Sequence, residues 1–283
     1  MPPLQSHSMT NKGLVRDNNE DCYLSKSNEG LWAVADGMGG HEAGEVASAI
    51  VKRTLDEARI SGRNLEDAIH GSHKAVLKAV QKGEGAAGMG STVVALNCNS
   101  LEYQVSWVGD SRAYLWSEER DGGRLEQLTT DHSYVQMLLA SGAIGPEEVD
   151  HHPDKNIITQ CIGSVDLTQI KVDTVRGSWE KQQWIVLCSD GLSDEVDNTS
   201  IAQILCQART PKDAAEQLMQ EALNNGGHDN ITIQVIESPL FKRSALNKLN
   251  EWLPRVTGHQ WLDFSLYGMA LISALLIGYW TLR

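Results

Sequence analysis

Short apolar runs rich in β-branched and aromatic residues, bounded by Gly, Asp or Ser, recur at about 31–35, 91–98, 103–108, 112–116, 184–189 and 231–236 and predict strands. A weaker run near 169–175 predicts one more. Between them the apolar positions change to helical spacing. Val46, Ala47, Ile50, Val51 and Leu55 mark one face over 42–59, and Leu65, Ile69, Val76, Leu77 and Val80 mark another over 64–81. Further helices are predicted over 133–140, 198–207 and 211–223, and Pro211 suits the first turn of the last. The three strands between 91 and 116 are joined by connections too short for a crossover helix, so they are expected to be largely antiparallel. That disfavours a doubly wound nucleotide fold and points to an α+β class with helices packed outside sheets.

Several of these strands meet an acid at one end. Asp36 follows "LWAVA" and precedes Gly37, Asp190 follows "WIVLCS" and precedes Gly191, and Asp110 follows "VSWVG". Asp229 precedes Asn230 and "ITIQVI", while Glu20 and Asp21 precede "CYL". An acid before glycine is an ordinary turn, and each of these taken alone reads as structural. Five places that share the device suggest carboxylates converging on a common purpose at the rims of sheets. Clustered carboxylates repel unless a cation neutralises them, and an all-oxygen set favours Mg²⁺ or Mn²⁺ over zinc. Two such ions can share a water, lower its pKa and clamp an in-line displacement at phosphorus, which makes phosphate-ester hydrolysis the indicated reaction class. Arg16, just upstream of Glu20, offers a planar guanidinium that matches phosphoryl oxygens.

Charge agrees with a cation-gathering site. With 37 acidic against 24 basic residues among 283, the formal charge of -13 argues against a nucleic-acid surface. Cys22, Cys98, Cys161, Cys188 and Cys206 are scattered without a C-x-x-C pair, which speaks against a disulfide framework or a zinc cluster. Cys98 and Cys188 lie in apolar runs, where cysteine acts as a small hydrophobe. The start, "MPPLQSHSMTNKG", lacks the basic and apolar stretches of a secretory signal, so the acidic part is expected in the cytoplasm. The long polar connection from about 141 to 168 is expected to be functional, and its His151-His152 pair reads as solvated because adjacent residues point apart.

The other end of the chain differs. Phe264 to Leu282 are 19 residues without a charge, about 28 Å as a helix, close to the hydrocarbon thickness of a bilayer. Trp261, Tyr267, Tyr279 and Trp280 lie near its two ends, as an aromatic belt would. A buried core helix or an amphipathic arm is the alternative. Lys242, Arg243, Lys248 and Arg255 precede the segment, and basic residues flank the cytoplasmic side of membrane spans. A tail anchor is therefore expected: a basic linker over 238–260, a transmembrane helix over 261–283, and a catalytic domain over 1–237 held at the cytoplasmic face of the cell membrane.

The series "GLVRDNNEDCYL", "VADGMGGHEAGEVAS", "GMGSTVVAL", "WVGDSRAYLW", "LTTDHS", "LCSDGLSDEV" and "HDNITIQVI" resembles the metal-dependent serine/threonine protein phosphatases of type 2C, in their bacterial form, over about residues 8–237. The resemblance implies a four-layer αββα sandwich of two mainly antiparallel sheets flanked by helices, with the metal site in the cleft at the sheets' ends. By position, Asp36 would bridge two Mn²⁺ or Mg²⁺ ions, with the Gly37 carbonyl and Glu20 joining one and Asp190 and Asp229 the other. Asp21 would act through metal-bound water, Arg16 would bind the substrate phosphate, and Asp110 with Asp190 would match a third, weaker site. The implied activity is hydrolysis of phosphoserine and phosphothreonine in proteins by a metal-bridged hydroxide, with phosphoproteins and a cognate kinase as partners. The rival is a catalytically silent module that binds phosphoproteins. Two departures from the family pattern stand out: Met38 follows Asp-Gly where some members have a histidine, which leaves the leaving-group acid unassigned, with metal-bound water the expected donor and His41 a tempting alternative nearby, and Gln160-Cys161 stand where relatives often have Arg-Ala.

Overall fold

The computed structural model describes residues 3–40, 43–60, 62–119, 122–149, 151–167 and 169–241, all within one unit, Met1–Lys242. His41, most of the basic linker and the expected anchor lie outside the described residues. Among the described residues no helix is long and apolar enough to cross a membrane.

Two five-stranded sheets form the centre. The first runs β1 (Ser6–Asn11), β12 (Ile231–Glu237), β11 (Gln183–Cys188), β8 (Arg112–Glu119), β9 (Gly122–Gln127). The second runs β10 (Asp173–Ser178), β7 (Glu102–Val108), β6 (Val93–Asn99), β3 (Leu31–Ala35), β2 (Cys22–Lys26). A short ribbon pairs β4 (Gly37–Met38) with β5 (Gly90–Ser91). Every named ladder among the described residues is antiparallel.

Three apolar layers hold four layers of structure together. Trp32, Val34, Val94, Leu96, Val105, Ile185 and Leu187 meet between the sheets. Leu31, Ala33 and Ala35, on the other face of β3, pack against α1 (Ala43–Ile60) and α2 (Leu65–Gln81). After the short helices α3 (Tyr134–Ala140), α4 (Pro146–Val149) and α5 (Asp190–Ser193), the chain forms α6 (Asn198–Gln207) and α7 (Pro211–Asn225), against which Trp184, Val186 and Cys188 pack from the other face of β11. A strand covered on both faces has no solvent side, so it reads as an unbroken apolar run instead of alternating. Local signals set the helix ends. The Asn64 and Thr210 side chains accept the N–H groups of Asp67 and Asp213, Pro211 opens α7, and Gly226 closes it at φ 146°.

The central strands lie where the apolar runs place them, and the differences concentrate at edges and crossings. β1, β2 and β9 are not predicted by the apolar pattern, and β10 is displaced from the weak run at 169–175. All four are edge strands whose mixed, half-exposed residues carry a weaker pattern. The three strands expected in succession between 91 and 116 do not share one sheet: β6 pairs with β7, whereas β8 crosses to the other sheet and pairs with β11. The run at 91–98 also breaks at Thr92, because Ser91 pairs with Gly37 while Val93 onward pairs with β7.

Candidate active site

The registers bring the acidic strand ends to one rim. Cys22 lies opposite Ala35, so Asp21 and Asp36 flank the same edge of the second sheet. Val93 lies opposite Val108, which places the turn holding Asp110 at that edge as the chain crosses over. In the first sheet Cys188 faces both Arg112 and Ile233, so Asp190, Asp110 and Asp229 emerge together. The cleft between the rims has a volume of about 720 Å³ and is lined by Arg16, Glu20, Asp36, Gly37, Asp190 and Asp229, among others.

Small hydroxyls fix the carboxylates. The Asp36 N–H donates to Thr92 Oγ1 at 3.2 Å, the Thr92 N–H returns a bond to the Asp36 carbonyl at 2.8 Å, and Thr92 Oγ1 shares a hydrogen bond with Ser111 Oγ at 2.7 Å. Ser189 Oγ donates to Asp21 Oδ2 at 2.8 Å while accepting the Thr232 N–H at 3.0 Å, so one hydroxyl joins the two sheets. Gly37 is required by close approach: a Cβ there would collide with the carbonyl oxygens of Gly44 and Glu20.

Electrostatics shows what this assembly lacks. Burial, followed by repulsion from neighbouring carboxylates, holds Asp36 and Asp110 well above the usual carboxylate range. Burial likewise pushes Asp21 up to about 8, against hydrogen bonds from Thr232 and Ser189, and Asp190 up to about 6. One oxygen each of Asp21, Asp110 and Asp190 is buried without a hydrogen-bond partner. Acceptor-only oxygens gathered at this density call for a hard cation. Among the described residues no group of three or more His, Cys, Asp or Glu side chains is already arranged to hold a metal ion. Arg16 donates to Asp229 Oδ2 at 2.6 Å. By its chemistry the donor set nevertheless fits divalent ions, with the Gly37 carbonyl in the same cleft.

A second cavity, about 590 Å³, adjoins the first through Asn156 and Asp190 and is covered by the 141–168 connection. The second half of that segment is pinned by bridges from Ile158 to Ser133 and from Ile162 to Ser91. His151 and His152 diverge as expected: His151 lines the cavity, whereas His152 lies edge-on to Tyr134 and accepts the Asp154 N–H. All five cysteines are free; Cys98 and Cys188 are buried, and burial pushes each thiol up to about 12.

The sequence profile of protein phosphatase 2C matches residues 4–136 and 171–231, leaving out most of the connection over the second cavity. The chain belongs to the protein phosphatase 2C family. It is 34% identical over 247 residues to the serine/threonine phosphatase stp of Listeria monocytogenes, an alignment covering 83% of this chain and 96% of that protein. The crystal structure of the serine/threonine phosphatase Stp1 from Staphylococcus aureus superposes with a TM-score of 0.74 at 33% identity, covering 83% of this chain and 94% of that one. The catalytic domain of the serine/threonine protein phosphatase PstP in complex with two manganese ions superposes with a TM-score of 0.72 at 32% identity, covering 83% and 98%.

Of the residues that the sequence singles out in this protein phosphatase 2C chain, Arg16, Glu20, Asp36, Gly37, Asp190 and Asp229 line the cleft, Asp110 lines the adjoining cavity with Asp190, and Asp21 is buried behind Ser189 and lines neither. Met38 stands in the short ribbon at the cleft wall. Gln160 turns back to accept the Lys171 N–H at 2.8 Å and closes the base of the connection. Thr92, Ser111, Ser189 and Asn230 are missed as supporting residues. Asn230 alone carries a signal, its place directly after Asp229.

Proposed function

We propose that this protein phosphatase 2C chain hydrolyses phosphoserine and phosphothreonine in proteins at a two-ion Mn²⁺ or Mg²⁺ centre. The observation that carries the proposal is the gathering of Glu20, Asp36, Asp190 and Asp229 beside Arg16 in one cleft, with Asp110 in the adjoining cavity and one orphaned carboxylate oxygen each on Asp21, Asp110 and Asp190. Asp36 would bridge the two ions, Glu20 and the Gly37 carbonyl would complete one site, and Asp190 and Asp229 the other. Asp21 would act from behind through water, and Asp110 with Asp190 would hold a third, weaker ion. Divalent ions bound there lower the pKa of water and offset charge on the phosphoryl group. The chain's own contribution is placement. Arg16, with its side chain 56% exposed, can leave Asp229 for a phosphoryl oxygen, and the open cleft admits a polypeptide.

The catalytic domain is assigned to 1–237, and Ser238–Phe241 stay attached to it through Ser238 Oγ on the Glu180 carbonyl and Phe241 stacked on Trp184. The remaining linker and the uncharged segment at 264–282 would tether it to the cytoplasmic face of the membrane, near phosphoproteins and a cognate kinase. The test is phosphate release from a phosphothreonine peptide by the full chain in detergent, with Mn²⁺ and then with excess chelator, beside a sugar phosphate. Metal-dependent release from the peptide above that from the sugar phosphate supports the proposal. A folded, metal-binding chain that releases nothing is a recognition module instead.

A further inference from the structure

Arg16 stands on a loop held by polar contacts, among them Asn19 Nδ2 donating to Thr10 Oγ1 at 2.8 Å. Leu14 and Val15 are 68% and 63% exposed, so the loop's own apolar side chains give it no core anchor. Its backbone is held instead. The buried Asn230 carboxamide donates from Nδ2 to the carbonyls of Lys12 and Asn18, both at 2.9 Å, and accepts the Glu20 N–H on Oδ1 at 2.7 Å. Lys12 and Asn18 bracket the loop, so a single side chain closes it at both ends. The same residue aims the partner of Arg16: its N–H donates to Asp229 Oδ1 at 2.7 Å and leaves Oδ2 to the guanidinium. Gly13, at φ +77°, lets the loop lie against the Asp229 carbonyl where a Cβ would collide, and the Leu14 N–H donates to the Gly227 carbonyl at 2.7 Å.

We propose that Asn230 is the positioning residue of the phosphate grip: by spanning the Lys12 and Asn18 carbonyls it holds the Arg16 loop in register with the carboxylate rim. The proposal rests on Arg16 as the phosphate-binding group. Asparagine suits the task because it supplies two donors and an acceptor at once. Aspartate keeps the acceptor for Glu20 but sets a carboxylate oxygen against two carbonyls, and alanine removes all three bonds. A freed loop lets Arg16 sample many positions, so binding energy at the phosphate falls; alanine also frees the Glu20 N–H, whereas aspartate keeps that bond and with it the carboxylate rim.

The test compares the full chain in detergent with Asn230→Ala, Arg16→Ala and the double variant on a phosphothreonine peptide in Mn²⁺, together with limited trypsin digestion. N230A is expected to raise KM roughly tenfold, with a smaller change in kcat. The double variant is expected to match R16A, because a residue that acts through Arg16 adds nothing once Arg16 is gone. Trypsin is expected to cut after Lys12 and Arg16 sooner in N230A, with the other cleavages and the melting profile little changed. Losses that add in the double variant, or unchanged cleavage after Lys12 and Arg16, overturn the proposal. Asn230→Asp, which keeps the Glu20 bond, carries the same expectations alone and with Arg16→Ala, and it decides where N230A disturbs the rim or melts below the assay temperature. A parent chain without activity would defeat the phosphatase reading alone, and the trypsin pattern would still decide on Asn230.

Discussion

Burial first, and then repulsion from neighbouring carboxylates, hold Asp36 well above the usual carboxylate range and Asp190 at about 6, so a bound cation would relieve both. Asn at either position removes a ligand charge and keeps the shape. D36N and D190N are expected to lose phosphate release by roughly 100-fold or more in Mn²⁺ while keeping the parent's circular dichroism; turnover near that of the parent would defeat the two-ion assignment. Asp21 gives a second expectation at this scale. Held up at about 8 by burial, it keeps its proton in the folded state where the unfolded chain has lost it. The metal-free protein therefore loses stability as pH rises from about 4 to about 8, since the unfolded state binds fewer protons there. In chelator, melts at pH 5 are expected to exceed those at pH 8, and Asp21→Asn should narrow the gap. Equal melting of the parent at the two pH values would show that Asp21 is ionised without metal. These acids are legible in the sequence because each stands next to an apolar strand. Ser189 and Thr92 are not, because their roles exist only across pairings 168 and 56 residues apart, to Asp21 and Asp36.

Elements reach the rim through their ends, and their ends are set by caps and crossings. Asp197 caps α6 by accepting the N–H groups of Thr199 and Ser200 at 2.8 and 2.9 Å, and it accepts Ser200 Oγ as well. Bonds from Ser200, backbone first, hold its carboxyl below the usual value. D197A is expected to cost about 1 kcal/mol at neutral pH, read as a lower midpoint in urea. The sign follows from a depressed carboxyl: the contribution is complete above the unfolded pKa and is lost as pH falls through the folded one, so parent and variant should converge in acid. A difference that persists in strong acid would assign the loss to packing instead of the cap. The apolar pattern shows α6 at Asn198–Gln207 without shift because the cap is local. It cannot show that β8 leaves the sheet of β7, since the Gly109–Ser111 turn is as short as a hairpin's, and only the partner strands, far along the chain, distinguish the two paths.

For the whole molecule, the open question is where the acidic catalytic unit works. Two forces that salt separates would hold the chain at a membrane. Apolar insertion of the uncharged segment at 264–282 does not weaken with ionic strength, whereas attraction of Lys242, Arg243, Lys248 and Arg255 to anionic lipid does. Expressed whole, the protein is expected in the membrane fraction, and washing with concentrated salt should leave it there. A chain ending at Phe241, which retains the stacking of Phe241 on Trp184, is expected to be soluble and to hydrolyse a phosphopeptide with the parent's kcat, because the cleft residues all precede that point. Release of the full chain by salt would reduce the tail to a basic surface contact, and a full chain found wholly soluble would make it a core helix or a docking arm. Retention against salt would confine the enzyme to phosphoproteins within reach of the bilayer, so that location, as much as the shape of the cleft, would select its substrates.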